Sequence, residues 1–344
     1  MKKLKMCSIL SAILAFSVLL SACGGSTSTS TESNSKSGDK KEYTIKVSYE
    51  NQPGEPVDLA AHEWKRLAEE KSKGQIKMEL YPSSQLGSKA DMIEQMKLGT
   101  GVIQIADASF LMDYVPDIGI LSAPYLADSY DDLQKLTKSE WFAGLDKELQ
   151  GKGLHMVTTN WIYGDRHLIT QKPIKKPSDL KGLKIRVPNN QLSIKTIEKM
   201  GATPTPMPLG EVYPAIAQGV IDGMENPLPV IHGSKVYENA KHVTLTGHVN
   251  MLLQWVAGQT FIETLPEDLV KVLKETGNEA GEFQNKSMLE VNEKLVEDLK
   301  KAGVTISEVD QPAFREAVKD IYSDVESWSP GLYEKVQKTI KEGK

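Results

Sequence analysis

The chain has 344 residues, with 41 Lys and Arg against 46 Asp and Glu, for a formal net charge of −5. This length exceeds what one hydrophobic core usually organises, so two domains are expected. The acidic balance argues against nucleic acid as a partner, because phosphate backbones attract Lys- and Arg-rich surfaces.

At the N-terminus, Lys2, Lys3 and Lys5 precede an apolar stretch from Ile9 to Leu20 and small residues up to Ala22, the pattern of a secretory signal over residues 1–22. The uncharged run from Met6 to Ala22 is at the short limit for spanning a bilayer, which disfavours a retained anchor helix. Leu20-Ser21-Ala22-Cys23 resembles the lipobox of bacterial lipoproteins. That resemblance implies cleavage before Cys23 and a lipid such as palmitate on the new N-terminal residue. The protein would then be exported and lipid-anchored to the outer face of the cytoplasmic membrane, or face a periplasm. Removing the signal deletes three lysines and no acid, leaving 38 − 46 = −8. Cys7 leaves with the signal, so the folded part carries no disulfide and rests on packing. Gly24 to Lys41 is rich in Ser, Thr, Gly and Lys without an apolar side chain, and residues 23–42 read as a flexible tether.

Thr44 to Tyr49 alternates Ile45, Val47 and Tyr49 with polar residues, the period of a strand with one buried face. Leu59 to Lys73 follows with a helical apolar stripe at Ala60, Trp64, Leu67 and Ala68 and a cap at Gly74. Ile76 to Tyr81 reads as a strand, Ser88 and Asp91 open a helix through Leu98, and Val102 to Ala106 is a buried parallel strand. This β-α-β-α-β order predicts parallel sheets flanked by helices, with ligand sites at strand ends.

Helical patterns run from Tyr130 to Gln150, then a strand from His155 to Trp161 and a crossover between domains near Ile162 to His167. The second block repeats the grammar: strand Leu183 to Val187, helix Asn190 to Met200, a proline-rich strand Thr203 to Pro206 and helix Glu211 to Gln218. Asn250 to Gln259 is strand-like. Pro266 to Ala302 is a helical pattern long enough to bridge two domains, with Gly277 and Gly281 as points where it bends or splits.

No G-x-S-x-G elbow, phosphate loop, H-E-x-x-H helix or C-x-x-C pair is present, and the six histidines lack metal spacing. No catalytic residue, metal or cofactor is therefore assigned. Arg186 stands just before Val187-Pro188, at the end of a strand. Its fork suits a carboxylate through two parallel hydrogen bonds, and an ordinary surface ion pair is the competing reading. Trp161, Tyr163 and Trp255 follow or end strands, where they either stack on a ligand or fill the core. Asn189 is a further polar candidate.

Tyr81 to Gly87 (YPSSQLG), Gly164-Asp165-Arg166, Leu180 to Pro188, Gly201 to Pro206, Glu211-Val212-Tyr213 and Asp222 to Pro227 (DGMENP) occur in a distinctive order and spacing. Together they resemble the solute-binding proteins of tripartite ATP-independent periplasmic (TRAP) transporters, of the dicarboxylate and sialic acid receptor type, from about Tyr43 to the C-terminus. The resemblance implies an α/β, two-lobed periplasmic-binding-protein-like fold with the ligand cleft between lobes and a long helix bridging them. Lobe I would comprise 43–163 and 252–291, and lobe II 164–251 and 292–344. It also implies a monomeric receptor that delivers a small carboxylate to membrane permease subunits.

Residue by residue, the resemblance assigns Arg186 as the clamp on the ligand carboxylate, Arg166 as its assistant unless it pairs with Asp165, and Asn226 as a hydrogen-bonding partner. Glu50, Asp107 and Leu209 fall on the remaining pocket positions. Carboxylates at Glu50 and Asp107 would accept hydrogen bonds from ligand hydroxyls and repel a second ligand carboxylate. The expected ligand is thus a sugar acid, a uronate or aldonate. The alternatives are a C4-dicarboxylate or other carboxylate, solvent-facing or lysine-paired Glu50 and Asp107, and a receptor serving an ATP-driven importer or sensor. An enzyme using Glu50 and Asp107 as acid and base is a further class.

Overall fold

A computed structural model describes residues 41–342. The signal, Cys7, Cys23 and the tether up to residue 40 lie outside the described residues. Apolar alternation produces the first three strands: β1 (Tyr43–Ser48), β2 (Ile76–Tyr81) and β3 (Val102–Asp107), with Ile45, Val47, Ile76, Met78, Ile103 and Ile105 buried. β1 lies between β2 and β3 and is parallel to both. Two helices cover these strands, α1 (Pro56–Lys71) and α2 (Lys89–Lys97). Ser88 caps α2 and Asp91 returns the bond to the Ser88 amide, the capping box expected from Ser88 and Asp91.

The helical region Tyr130 to Gln150 is two helices, Tyr130–Thr137 and Glu140–Gln150, because Ser139 caps the second. The strand expected at His155 to Trp161 is instead β4 (Leu154–Thr170), 17 residues long. β5 (Lys184–Val187), β6 (Thr203–Pro206) and β7 (Gly223–Asn226) follow. β8 (His242–Gly258) is also 17 residues, and β9 (Thr305–Ser307) adds to it. The strand order is β2-β1-β3-β8-β4-β7-β5-β6, with β9 paired to β8.

β4 and β8 run antiparallel from Leu154 opposite Gly258 to Thr170 opposite His242, so each long strand serves both halves of the molecule. In one half β8 pairs with β3; in the other β4 pairs with β7, beside β5 and β6. The register shifts at four points, between Met156 and Thr158, Thr158 and Trp161, Ile162 and Gly164, and Arg166 and Leu168. Gly164 has φ +115°, and a Cβ there would approach Met288 to 2.9 Å and Pro227 to 3.1 Å. Only glycine fits this backbone and this contact.

The long helix Glu267–Lys301 is continuous over 35 residues, about 52 Å, and packs on α1 and β4 at one end and near β9 at the other. Gly277 and Gly281 neither split nor end it. A Cβ on Gly277 would sit 3.0 Å from Trp64, and one on Gly281 2.7 Å from Trp161. The glycines let the helix backbone lie against the tryptophans, whose Nε1 atoms donate to Leu273 O at 3.1 Å and Gly277 O at 2.9 Å. The last helix, Leu332–Glu342, puts Leu332 and Val336 in the cluster of Leu133 and Leu136. The chain end therefore packs against the helices Tyr130–Thr137 and Glu140–Gln150. Among the described residues no helix is long and apolar enough to cross a membrane.

Candidate functional site

The C-terminal ends of β1, β3, β5 and β7 point toward one cavity, as parallel strands in α/β sheets do. The cavity leaves about 60 Å³ open to the centre of a water-sized sphere. Glu50, Lys89, Asp107 and Phe110 line it from one half, and Arg186, Pro188, Asn189, Leu209 and Asn226 from the other. Tyr163 and Arg166, on the crossing strand β4, complete it.

Arg186 and Arg166 are nearly equally buried, at 3% and 4% exposure. Arg166 is fully committed: its Nη2 donates to Glu225 Oε1 at 2.7 Å and to Glu225 O at 3.0 Å, and its Nε donates to Glu225 Oε2. His248 Nε2 lies 3.3 Å from the same carboxylate. Burial alone would push Glu225 upward, but Arg166 and the His248 hydrogen bond outweigh it and hold the carboxyl at about 2. Asp165 is not the partner of Arg166. It accepts from Tyr130 at 2.5 Å and Asn250 at 2.8 Å.

Arg186 differs. Among the described residues its only hydrogen bond runs from Nε to Met207 O at 2.9 Å, and it forms no salt bridge. Burial lowers its affinity for the proton, and the more distant Glu50 and Glu225 only partly restore it. A buried guanidinium without a carboxylate is unfavourable unless an anion completes it. Asn226, 3% exposed at the end of β7, also has an Oδ1 without a hydrogen-bond partner among the described residues. Both groups are polar, buried and in the wall of one cavity.

On the facing wall, Lys89 Nζ lies 3.1 Å from Glu50 Oε2 and 3.0 Å from Asp107 Oδ2, and stands 4.7 Å over the Phe110 ring. Burial opposes the Lys89 charge, yet Asp107 and Glu50 together raise its proton affinity above the ordinary value. Glu50 and Asp107 thus line the cavity and are also the lysine-paired groups of the competing reading; both statements hold together. Lys89 was not singled out from sequence. Its position at the first turn of α2 reads as a solvated face, and only the fold turns it inward.

Tyr163, Leu209 and Asn189 line the cavity, Asn189 at its exposed rim. Trp161 and Trp255 do not. Both are fully buried in an aromatic cluster with Trp64, their ring centroids 5.2 Å apart, against the long helix. They are core residues, because the burial face of β4 and β8 at these positions turns toward the helix and away from the cavity.

A family model described as bacterial extracellular solute-binding protein, family 7, matches residues 47–327. The chain belongs to this family. It is the solute-binding type of TRAP transporters, with their two-lobed fold. A TRAP periplasmic solute-binding protein from Ochrobacterium anthropi, solved with bound L-fuconate, is 47% identical, with a TM-score of 0.86 over 87% of this chain and 99% of that one. One from Actinobacillus succinogenes, solved with bound L-galactonate, is 43% identical, with a TM-score of 0.86 over 87% of this chain and 100% of that one. The 2,3-diketo-L-gulonate-binding periplasmic protein YiaO of Escherichia coli is 31% identical over 82% of this chain and 86% of that protein. The family is one of receptors, so the cavity is read as a binding site.

Proposed function

We propose that this TRAP receptor binds a sugar acid with a single carboxylate, an aldonate or uronate, and hands it to membrane permease subunits. The observation that carries the reading is the open fork of Arg186, a buried cation that makes no salt bridge among the described residues. A ligand carboxylate would take both Nη groups and accept from the Asn226 amide, while Arg166, locked to Glu225, adds positive field and shape. Glu50 and Asp107 would accept from hydroxyls at the other end of the ligand, and Tyr163 and Leu209 would flank its carbon chain. The ligands named for the Ochrobacterium anthropi and Actinobacillus succinogenes proteins support this chemistry.

In the same reading, residues 43–163 with 252–291 and 164–251 with most of the remainder act as the lobes that close on the ligand. Cys23 carries the lipid that keeps a monomeric receptor at the membrane. Thermal unfolding of the purified chain in the presence of L-fuconate, L-galactonate, a uronate and succinate checks the assignment. A ligand at 100 times its Kd stabilises by about 2.7 kcal/mol. A rise in Tm with a sugar acid is expected, and no rise with any of the four acids contradicts the reading.

A further inference from the structure

We propose that Glu50, Lys89 and Asp107 act as one charge-selecting wall: it offers two acceptors to ligand hydroxyls and rejects a second carboxylate, with Lys89 as the specificity-determining residue that sets its net charge. The inference rests on the sugar-acid reading of the cleft and adds which acids the cleft refuses. Lys89 Nζ touches both carboxylates, at 3.1 and 3.0 Å, and its remaining face lies over Phe110, so the lysine is held and does not swing out to meet the ligand. Its side chain is 7% exposed, Glu50 is 15% and Asp107 4%, so water screens the group weakly.

The charges of the cavity can be counted from its titratable lining, Glu50, Lys89, Asp107, Tyr163, Arg166 and Arg186. Arg166 is cancelled by Glu225. One lysine against two carboxylates leaves a single negative charge on the far wall, which faces the single positive charge of Arg186. A ligand carboxylate at Arg186 satisfies that arginine, and the far wall remains negative. Hydroxyls donate to that wall favourably. A second carboxylate there meets a like charge in a poorly screened space. Without Lys89 the wall would hold two unbalanced carboxylates, a buried arrangement that is costly even before a ligand enters.

The test compares L-galactonate with galactarate, which has the same hydroxylated chain but a carboxylate at both ends, by calorimetric titration. The wild-type protein is expected to favour galactonate by about tenfold or more. Glu50→Gln keeps the shape and leaves a neutral Lys89–Asp107 pair, and should shrink that preference about tenfold or more. Lys89→Met should weaken galactonate binding about tenfold or more, and Glu50→Gln/Lys89→Met should recover most of the loss by restoring a single negative charge. A merely structural lysine gives no such recovery.

A wild-type protein that binds both acids equally, an unchanged preference in Glu50→Gln, or a double variant no better than Lys89→Met overturns the proposal. If Lys89→Met does not fold, Glu50→Gln decides alone. A wild-type protein that binds neither acid overturns the sugar-acid reading itself, and this proposal falls with it.

Discussion

Arg166 and Arg186 belong to β4 and β5, the two strands that flank β7, share one cavity and are buried to nearly the same degree, yet they are built for opposite purposes. Arg166 is closed by a carboxylate of its own chain, through bonds to both oxygens and the main-chain carbonyl of Glu225. Arg186 is closed only at Nε, by the Met207 carbonyl. Buried ion pairs lose much of their Coulomb gain to desolvation, so the first arrangement fixes geometry where the two long strands cross. The second leaves a desolvated cation waiting for an anion. The difference shows that burial alone does not mark a binding arginine; the missing internal partner does.

Breaking the closed pair should have the largest effect on stability. Glu225→Ala strands Arg166 in the interior and is expected to cost about 3 to 5 kcal/mol, read as a fall in the urea midpoint at pH 7. The pH dependence has a definite sign. The folded-state value of Glu225 is depressed to about 2, so its contribution is full above the ordinary carboxylate value and is lost as the pH falls through about 2. Glu225→Ala should therefore close most of its gap to the wild type in strong acid. An equal gap at pH 7 and in strong acid would contradict the ion-pair account.

A smaller effect is expected at Gly281, where a methyl group would meet the Asn160 side-chain amide first and then Trp161 at 2.7 Å. Gly281→Ala should cost about 1 to 3 kcal/mol by overpacking, even though alanine is the better helix former. A more stable variant in thermal unfolding would show that the helix does not need that close approach.

The smallest effect concerns Glu55, near the start of α1. Burial raises its carboxyl to about 7, although bonds from Asn51 at 2.6 Å and the Gln52 amide at 3.1 Å oppose the rise. The sign is opposite to that of Glu225. A raised folded-state value means the stabilising form is protonated, present in full below the ordinary value and lost as the pH rises through about 7. Glu55→Gln should gain up to about 2 kcal/mol on the wild type between pH 5 and pH 8. Parallel stability curves for the two proteins over that range would contradict the assignment.

Much of this architecture could be read in the residues. β2 and β6 lie where period and composition put them, and Ser88 and Asp91 form the capping box their spacing suggests. The lengths of β4 and β8 were not readable, because a strand that crosses from one half to the other changes its buried face midway and loses a clean alternation. For the same reason the residues alone left Trp161 and Trp255 open as either ligand contacts or core, and they are core. Arg186 and Asn226 were accessible from motif register, and both reach the cavity wall. Glu225, within the same DGMENP segment, had no assigned partner, because only the pairing of β4 with β7 brings it beside Arg166. Lys89 escaped because a lysine in the first turn of a helix is ordinarily solvated, and its burial depends on β1 and β3 presenting Glu50 and Asp107 to it.

The central claim is that the open fork of Arg186 holds the ligand carboxylate. Calorimetric titration of wild-type protein and Arg186→Gln with L-galactonate, together with the thermal unfolding of both proteins without ligand, tests it most directly. The account predicts wild-type binding, a loss of about a hundredfold or more in Arg186→Gln, and an unliganded Tm equal to or above that of the wild type, since the variant removes a buried guanidinium that no carboxylate contacts. An Arg186→Gln protein that binds L-galactonate as tightly as the wild type would contradict it.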